Sequence, residues 1–149
     1  MLAAPAEPAR DDTSLLTADL RADGQALPEG GVLILLVSLP DCHWCHEVRS
    51  RYLLPIHRDR DSHRDLGIRE IRLTGDDTGD FDGRRKGIEA IAARWSVQVA
   101  PTVLFLDRCG SPLTEALIGG DVAGFYGAYF DRALAAARAG ARATPIRDC

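Results

Sequence analysis

Apolar runs separated by short breaks set the expected order of elements along the chain. Val32-Leu33-Ile34-Leu35-Leu36-Val37 is a continuous aliphatic run bounded by Gly30-Gly31 and by Pro40. A strand this apolar needs cover on both faces, a situation found mainly in α/β sheets. Ile68-Arg69-Glu70-Ile71-Arg72-Leu73 alternates apolar and charged residues, as a half-buried strand would. Ile88, Ile91, Ala92 and Trp95 recur at helical spacing, and Trp95 reads as a core residue. Val99-Ala100-Pro101-Thr102-Val103-Leu104-Phe105-Leu106 opens a β-branched and aromatic run with a proline, which cannot donate to a sheet ladder and so marks a strand start or edge. The turn Asp107-Arg108-Cys109-Gly110-Ser111-Pro112 predicts a hairpin with Leu113–Ile118. Gly119-Gly120-Asp121 then breaks the strand and caps a last helix, Val122 to about Ala139, with Phe125, Tyr129 and Leu134 on one face.

The remaining segments carry weaker patterns. Thr13–Leu27 predicts an additional helix whose apolar face is Leu15, Leu16, Leu20 and Leu27. Pro55 is expected to end or kink the helix that follows Cys45, leaving Ile56–Leu66 as a short charged helix or loop. Arg84-Arg85-Lys86 reads as a solvated helix start. Residues 2–9 are rich in Ala and Pro, with neither a basic n-region nor an apolar h-region, and resemble the leader found just after a cleaved signal peptide. The expectation is one domain over 1–149, with a core at about 31–139 and flexible ends at 1–12 and 140–149.

Composition narrows the class. A chain of 149 residues with 46% apolar and 27% charged residues can bury a real core and reads as one globular domain. No apolar run reaches the roughly 18 residues of a membrane helix, so no membrane insertion is expected. A formal charge of −4 with dispersed arginines argues against nucleic acid as a partner.

The candidate chemistry lies where the aliphatic run ends, at Cys42-His43-Trp44-Cys45-His46. If Cys42 opens a helix, its sulfur sits beside unpaired N–H groups and the positive end of the dipole, which favours thiolate. Cys45 then falls one turn later, at a separation a disulfide can span. Three other readings fit the same letters. C-x-x-C-H is a c-type haem attachment pattern, but the only methionine available as a second axial ligand is Met1, and a strand leading into the motif is wrong for a small helical cytochrome. Zinc could use Cys42, Cys45 and two of His43, His46, His57 and His63, yet no second ligand pair stands at a convincing spacing. The pair could also be a structural disulfide or inert buried thiols, in which case the chain would be a non-catalytic interaction module that turns over no disulfide.

Taken with the later Ala100-Pro101-Thr102 strand, the motif resembles the thioredoxin superfamily over roughly residues 31–139, and in particular a bacterial, periplasmic thiol–disulfide oxidoreductase with a Cys-His-Trp-Cys motif. The resemblance implies an α/β thioredoxin fold: a central mixed β-sheet flanked by helices, here with an N-terminal helical extension. It implies Cys42 as attacking and Cys45 as resolving thiol, with His43, Trp44, Ala100 and a cis Pro101 as the substrate-binding surface. No cofactor and no metal are implied. The partners would be protein thiols or disulfides and a redox partner protein, met by a monomer in the periplasm or another exported compartment, with the cytoplasm left open. Gly119 matches the glycine before the last helix. One departure is chemical: Leu36 stands where thioredoxins carry a buried aspartate, so His46, Glu47 or water must accept the proton of Cys45. The hairpin turn of this fold lies at the end of the sheet away from the motif, where Cys149 can reach back to Cys109, so these two form a possible structural disulfide.

Overall fold

The computed structural model describes residues 12–145 and 148–149. Its centre is β1 (Val32–Ser38), every residue of which is buried. β1 pairs in parallel with β2 (Leu66–Arg72) on one side and antiparallel with β5 (Thr102–Leu106) on the other. β6 (Leu117–Ile118) pairs antiparallel with β5 and completes a mixed sheet in the order β2-β1-β5-β6. β3 (Thr78–Gly79) and β4 (Arg85–Lys86) form a separate small hairpin.

Alternate β1 side chains feed two different cores, as a strand covered on both faces requires. Val32, Ile34 and Leu36 pack with Val48, Leu53, Phe105, Phe130 and Leu134 under the helices α2 (His43–Val48), α3 (Leu54–Arg58) and α5 (Tyr126–Ala143). Leu33, Leu35 and Val37 pack with Leu20, Ile71, Ile88, Ile91 and Leu104 under α1 (Leu20–Gln25) and α4 (Ile88–Ala93). Trp95 is partly buried there, with its ring edge-on to Phe81 and its Nε1–H donated to the carbonyl of Gly110 at 2.9 Å.

Several segments differ from the expected pattern, each for a local reason. The predicted helix over Thr13–Leu27 is reduced to Leu20–Gln25, because Asp19 caps it by accepting from the Ala22 N–H. The residues before it serve the sheet instead: Glu70 N–H donates to the Leu15 carbonyl and Thr17 N–H to that of Glu70, which covers the outer edge of β2. Leu16, placed on the apolar face by the pattern, is consequently exposed.

Past α2 the helix widens into a π-helical turn, Arg49–Leu53, before Pro55 enters the first turn of α3. Proline has no N–H to offer the carbonyl one turn back, and the ladder shifts register just ahead of it. Arg85–Lys86 is strand, not helix, since Lys86 Nζ is held by Asp80 at 2.8 Å and Asp82 at 2.7 Å across the hairpin.

The last helix starts at Tyr126 and runs to Ala143. Asp121 does serve its start, accepting the Tyr126 N–H through Oδ1 and the Tyr52 hydroxyl through Oδ2. The intervening Val122–Phe125 stays outside the helix, with Gly124 at φ 78°. Its buried face is Tyr126, Phe130, Ala133, Leu134, Ala137 and Ala141, so Phe125 and Tyr129 lie exposed and do not share a face with Leu134. The expected leader at 1–12 falls, except for Asp12, outside the described residues, while α5 occupies the first part of the expected tail.

Two tests follow from the packing. Phe105 is fully buried against Phe130 and the β1 side chains, so Phe105→Ala should cost about 3–5 kcal/mol in urea unfolding. Arg138 on α5 forks onto Asp65, with Nε to Oδ2 at 2.7 Å and Nη2 to Oδ1 at 3.1 Å, and this hydrogen-bonded cation holds the Asp65 carboxyl below its usual range. A carboxyl depressed in the folded state adds stability above its unfolded pKa and loses it as pH falls through the folded value. The stability gap between the native protein and Arg138→Gln should therefore narrow between pH ~6 and pH ~2.5, as read from urea midpoints.

Candidate functional site

β1 ends at Ser38, and the chain turns through Leu39-Pro40-Asp41 with Asp41 in the left-handed region at φ 54°. That turn delivers Cys42 as the N-cap of α2, its backbone extended and its Sγ accepting the Cys45 N–H at 3.2 Å. A sulfur at this position already acts as acceptor for a free helix N–H, the interaction that stabilises a thiolate. Cys42 and Cys45 are joined in a disulfide with a Cα separation of 5.2 Å. Helical periodicity makes the two sulfurs unequal: Cys45 is 0% exposed, whereas Cys42 is half-buried.

His43 and Trp44 both stand exposed on the first turn, with their rings edge-to-face at a centroid distance of 5.0 Å. Behind Trp44 lies Gly120: a Cβ there would fall 2.6 Å from the Trp44 Cβ, so only glycine allows the indole to lie over this strand end. Because β5 runs antiparallel to β1 with Thr102 opposite Val37, the Ala100-Pro101 segment comes to the same end of the sheet as the motif. The Ala100–Pro101 peptide bond is cis. The Pro101 carbonyl accepts the Gly119 N–H at 2.8 Å, which ties this segment to the Gly119-Gly120 turn under Trp44. The expected site residues Cys42, Cys45, His43, Trp44, Ala100 and Pro101 are thus gathered at one sheet end.

Cys109 and Cys149 are elsewhere. They are joined in a second disulfide, Cα separation 5.3 Å, beyond the opposite end of β5. Among the described residues no three His, Cys, Asp or Glu side chains are grouped so as to hold a metal ion.

Two residues with no role in the sequence reading lie beside the motif. A cleft of about 660 Å³ is lined by Leu39, Asp41, Cys42, His43, His46, Glu47, Arg49 and Arg72. Arg49 is 3% exposed and forks onto Glu70, itself 0% exposed, through Nε to Oε1 at 2.7 Å and Nη2 to Oε2 at 2.6 Å. Ser38 Oγ donates to the same Oε2 at 2.5 Å, and Arg72 Nε approaches it at 3.4 Å. Glu70 sits directly across the parallel ladder from Leu36. The available signal was the pair Ile68 and Ile71, which point to opposite faces of β2; a strand apolar on both faces leaves Glu70 no solvent. Of the two proton-acceptor candidates, Glu47 reaches toward Arg51, at 3.4 Å. His46 Nδ1 is out of contact with solvent and has no hydrogen-bond partner among the described residues.

The architecture is that of the thioredoxin fold. Thioredoxin O2 from Arabidopsis thaliana in its oxidized state matches with a TM-score of 0.51 at 14% identity, over 78% of this chain and 91% of that one. The Malassezia sympodialis thioredoxin Mala s 13 matches with a TM-score of 0.51 at 13% identity, over 79% of this chain and 89% of that one. No protein-family model matches the sequence, and neither does any curated protein.

The asymmetry of the pair is directly testable. Mild alkylation of the reduced protein near neutral pH should label Cys42 first, as read by peptide mass mapping. Preferential labelling of Cys45 would reverse the two roles.

Proposed function

We propose that the chain is a thiol–disulfide oxidoreductase acting on protein disulfides or dithiols through Cys42 and Cys45. The observation that carries this reading is the disulfide itself, with one accessible sulfur at a helix N-terminus and one buried sulfur a turn later. A purely structural bridge has no need of that inequality.

In the reductive direction the Cys42 thiolate attacks one sulfur of a substrate disulfide. The substrate S–S bond breaks, a Cys42–substrate bond forms, and the departing substrate sulfur takes up a proton. Cys45 then gives up its proton and attacks the Cys42 sulfur, releasing the second substrate thiol and closing the Cys42–Cys45 bond. Two electrons pass from the pair to the substrate, and the reverse sequence oxidises a substrate dithiol. His46, the residue that follows Cys45 in sequence, is the candidate to take the Cys45 proton, since its Nδ1 is buried with no hydrogen-bond partner among the described residues.

His43 and Trp44 present a polar and a flat apolar contact for an incoming polypeptide, and the backbone at Ala100, fixed by Pro101, would pair with it in extended form. The partners are then protein thiols or disulfides and a second redox protein, engaged by a monomer. An exported, oxidising compartment such as the periplasm is supported by the Cys109–Cys149 bridge, since such bridges persist where thiols are not kept reduced.

Equilibration with glutathione buffers, followed by Trp44 fluorescence, should place the Cys42/Cys45 potential between about −270 mV and about −120 mV, because the imidazole of His43, the residue after the attacking cysteine, favours the thiolate and hence the reduced form whenever it carries charge. Cys45→Ala should trap polypeptides as mixed disulfides through Cys42. Failure to equilibrate with glutathione, together with failure to trap, would leave only a fold without the activity.

A further inference from the structure

We propose that the buried Arg49–Glu70 pair is the positioning element that sets how readily Cys42 forms its thiolate; the inference rests on the thiol–disulfide reading above and adds the residues that tune it. Arg49 follows Cys45 by one helical turn, and its backbone N–H donates to the Cys45 carbonyl. Its guanidinium is drawn down to the sheet by Glu70, which Ser38 at the end of β1 also holds. The pair is therefore clamped between the helix that carries the cysteines and the strand that delivers them.

The two charges are not equally placed toward the redox sulfur. Arg49 lines the cleft together with Cys42, whereas Glu70 does not and lies behind it on β2. Charge interactions fall with distance and strengthen out of water, so at Cys42 the cation outweighs the carboxylate. The other charged or titratable groups facing this cleft are Asp41, His43, His46, Glu47 and Arg72. Asp41 and His43 are exposed and so more strongly screened by salt and water than the buried pair. A buried ion pair of this kind adds little over a well-packed apolar pair, which leaves its separated charge as its distinguishing property.

The two halves of the pair must act with opposite sign. Glu70→Gln keeps hydrogen-bonding groups toward Arg49 and Ser38 but removes the negative charge. The pH profile of Cys42 alkylation by iodoacetamide should then move down by about half to one pH unit, or about three- to tenfold more thiolate below the midpoint, with a higher reduction potential. Arg49→Met should move the profile up and the potential down.

Should Arg49→Met fail to fold with Glu70 left unpaired, Arg49→Met/Glu70→Leu removes both charges at once, and its profile should lie above that of Glu70→Gln and no lower than that of the native protein. Single substitutions that shift the profile in the same direction, or a Glu70→Gln profile that stays put, would overturn the proposal. A native protein that shows no redox equilibrium with glutathione would instead remove the reading beneath it, an outcome told apart by the native control alone.

Discussion

Burial of β1 on both faces is the constraint from which the rest of the architecture follows. A strand with no solvent-facing side must recruit helices above and below the sheet, and it must satisfy its backbone with a neighbour on each edge. Here β2 and β5 supply the edges and two separate apolar clusters supply the faces. The chain can leave such a strand only at its ends. At the carboxyl end it does so through Pro40 and the left-handed Asp41, and the first residue able to start a helix is Cys42. The motif therefore sits on the crevice at the carboxyl end of a rigid strand, the place where open α/β sheets put their chemistry.

The same constraint separates the two disulfides by role. Antiparallel pairing of β5 with β1 brings the Pro101 end of β5 to the motif and sends its Leu106 end away from it. Cys109 follows that far end and bridges to Cys149, 40 residues along the chain. Cys42–Cys45 instead closes one turn of helix at an exposed edge, a short link that constrains little of the unfolded chain. A long-loop bridge contributes stability; a one-turn bridge is better suited to opening and closing.

The parts of the fold legible in the sequence are those specified by local pattern. β1 could be read from its aliphatic run, the Cys42 cap from the motif, and β5 from the proline that opens it. The parts that stayed hidden depend on partners far along the chain. Nothing near Arg49 distinguishes it from a solvated helix charge, and nothing near Glu70 predicts that a parallel crossover will set it opposite Leu36. Leu15 and Leu16 resemble half of an amphipathic helix, yet the free edge of β2 claims their backbone. Likewise Asp121 reads as the cap of a helix starting at Val122, but the N-cap position falls to Phe125 and Asp121 reaches the Tyr126 N–H from five residues back, leaving Val122–Phe125 as a loop that helical periodicity alone would absorb.

Leu36 raises a problem that involves both these hidden residues and His46, which the sequence already offered. Resolution of a mixed disulfide requires the buried Cys45 to lose a proton, and an aliphatic side chain at position 36 cannot receive it. Glu70, across the ladder, is a poor substitute, because its oxygens are already engaged by Arg49, Ser38 and Arg72. A single buried carboxylate under the cysteines would accept the proton but would also oppose every thiolate formed nearby. Under the roles proposed above, His46 would take the proton while Arg49, held by Glu70, lines the cleft, so that proton and charge fall to different residues. Each can then favour the thiolate without working against the other.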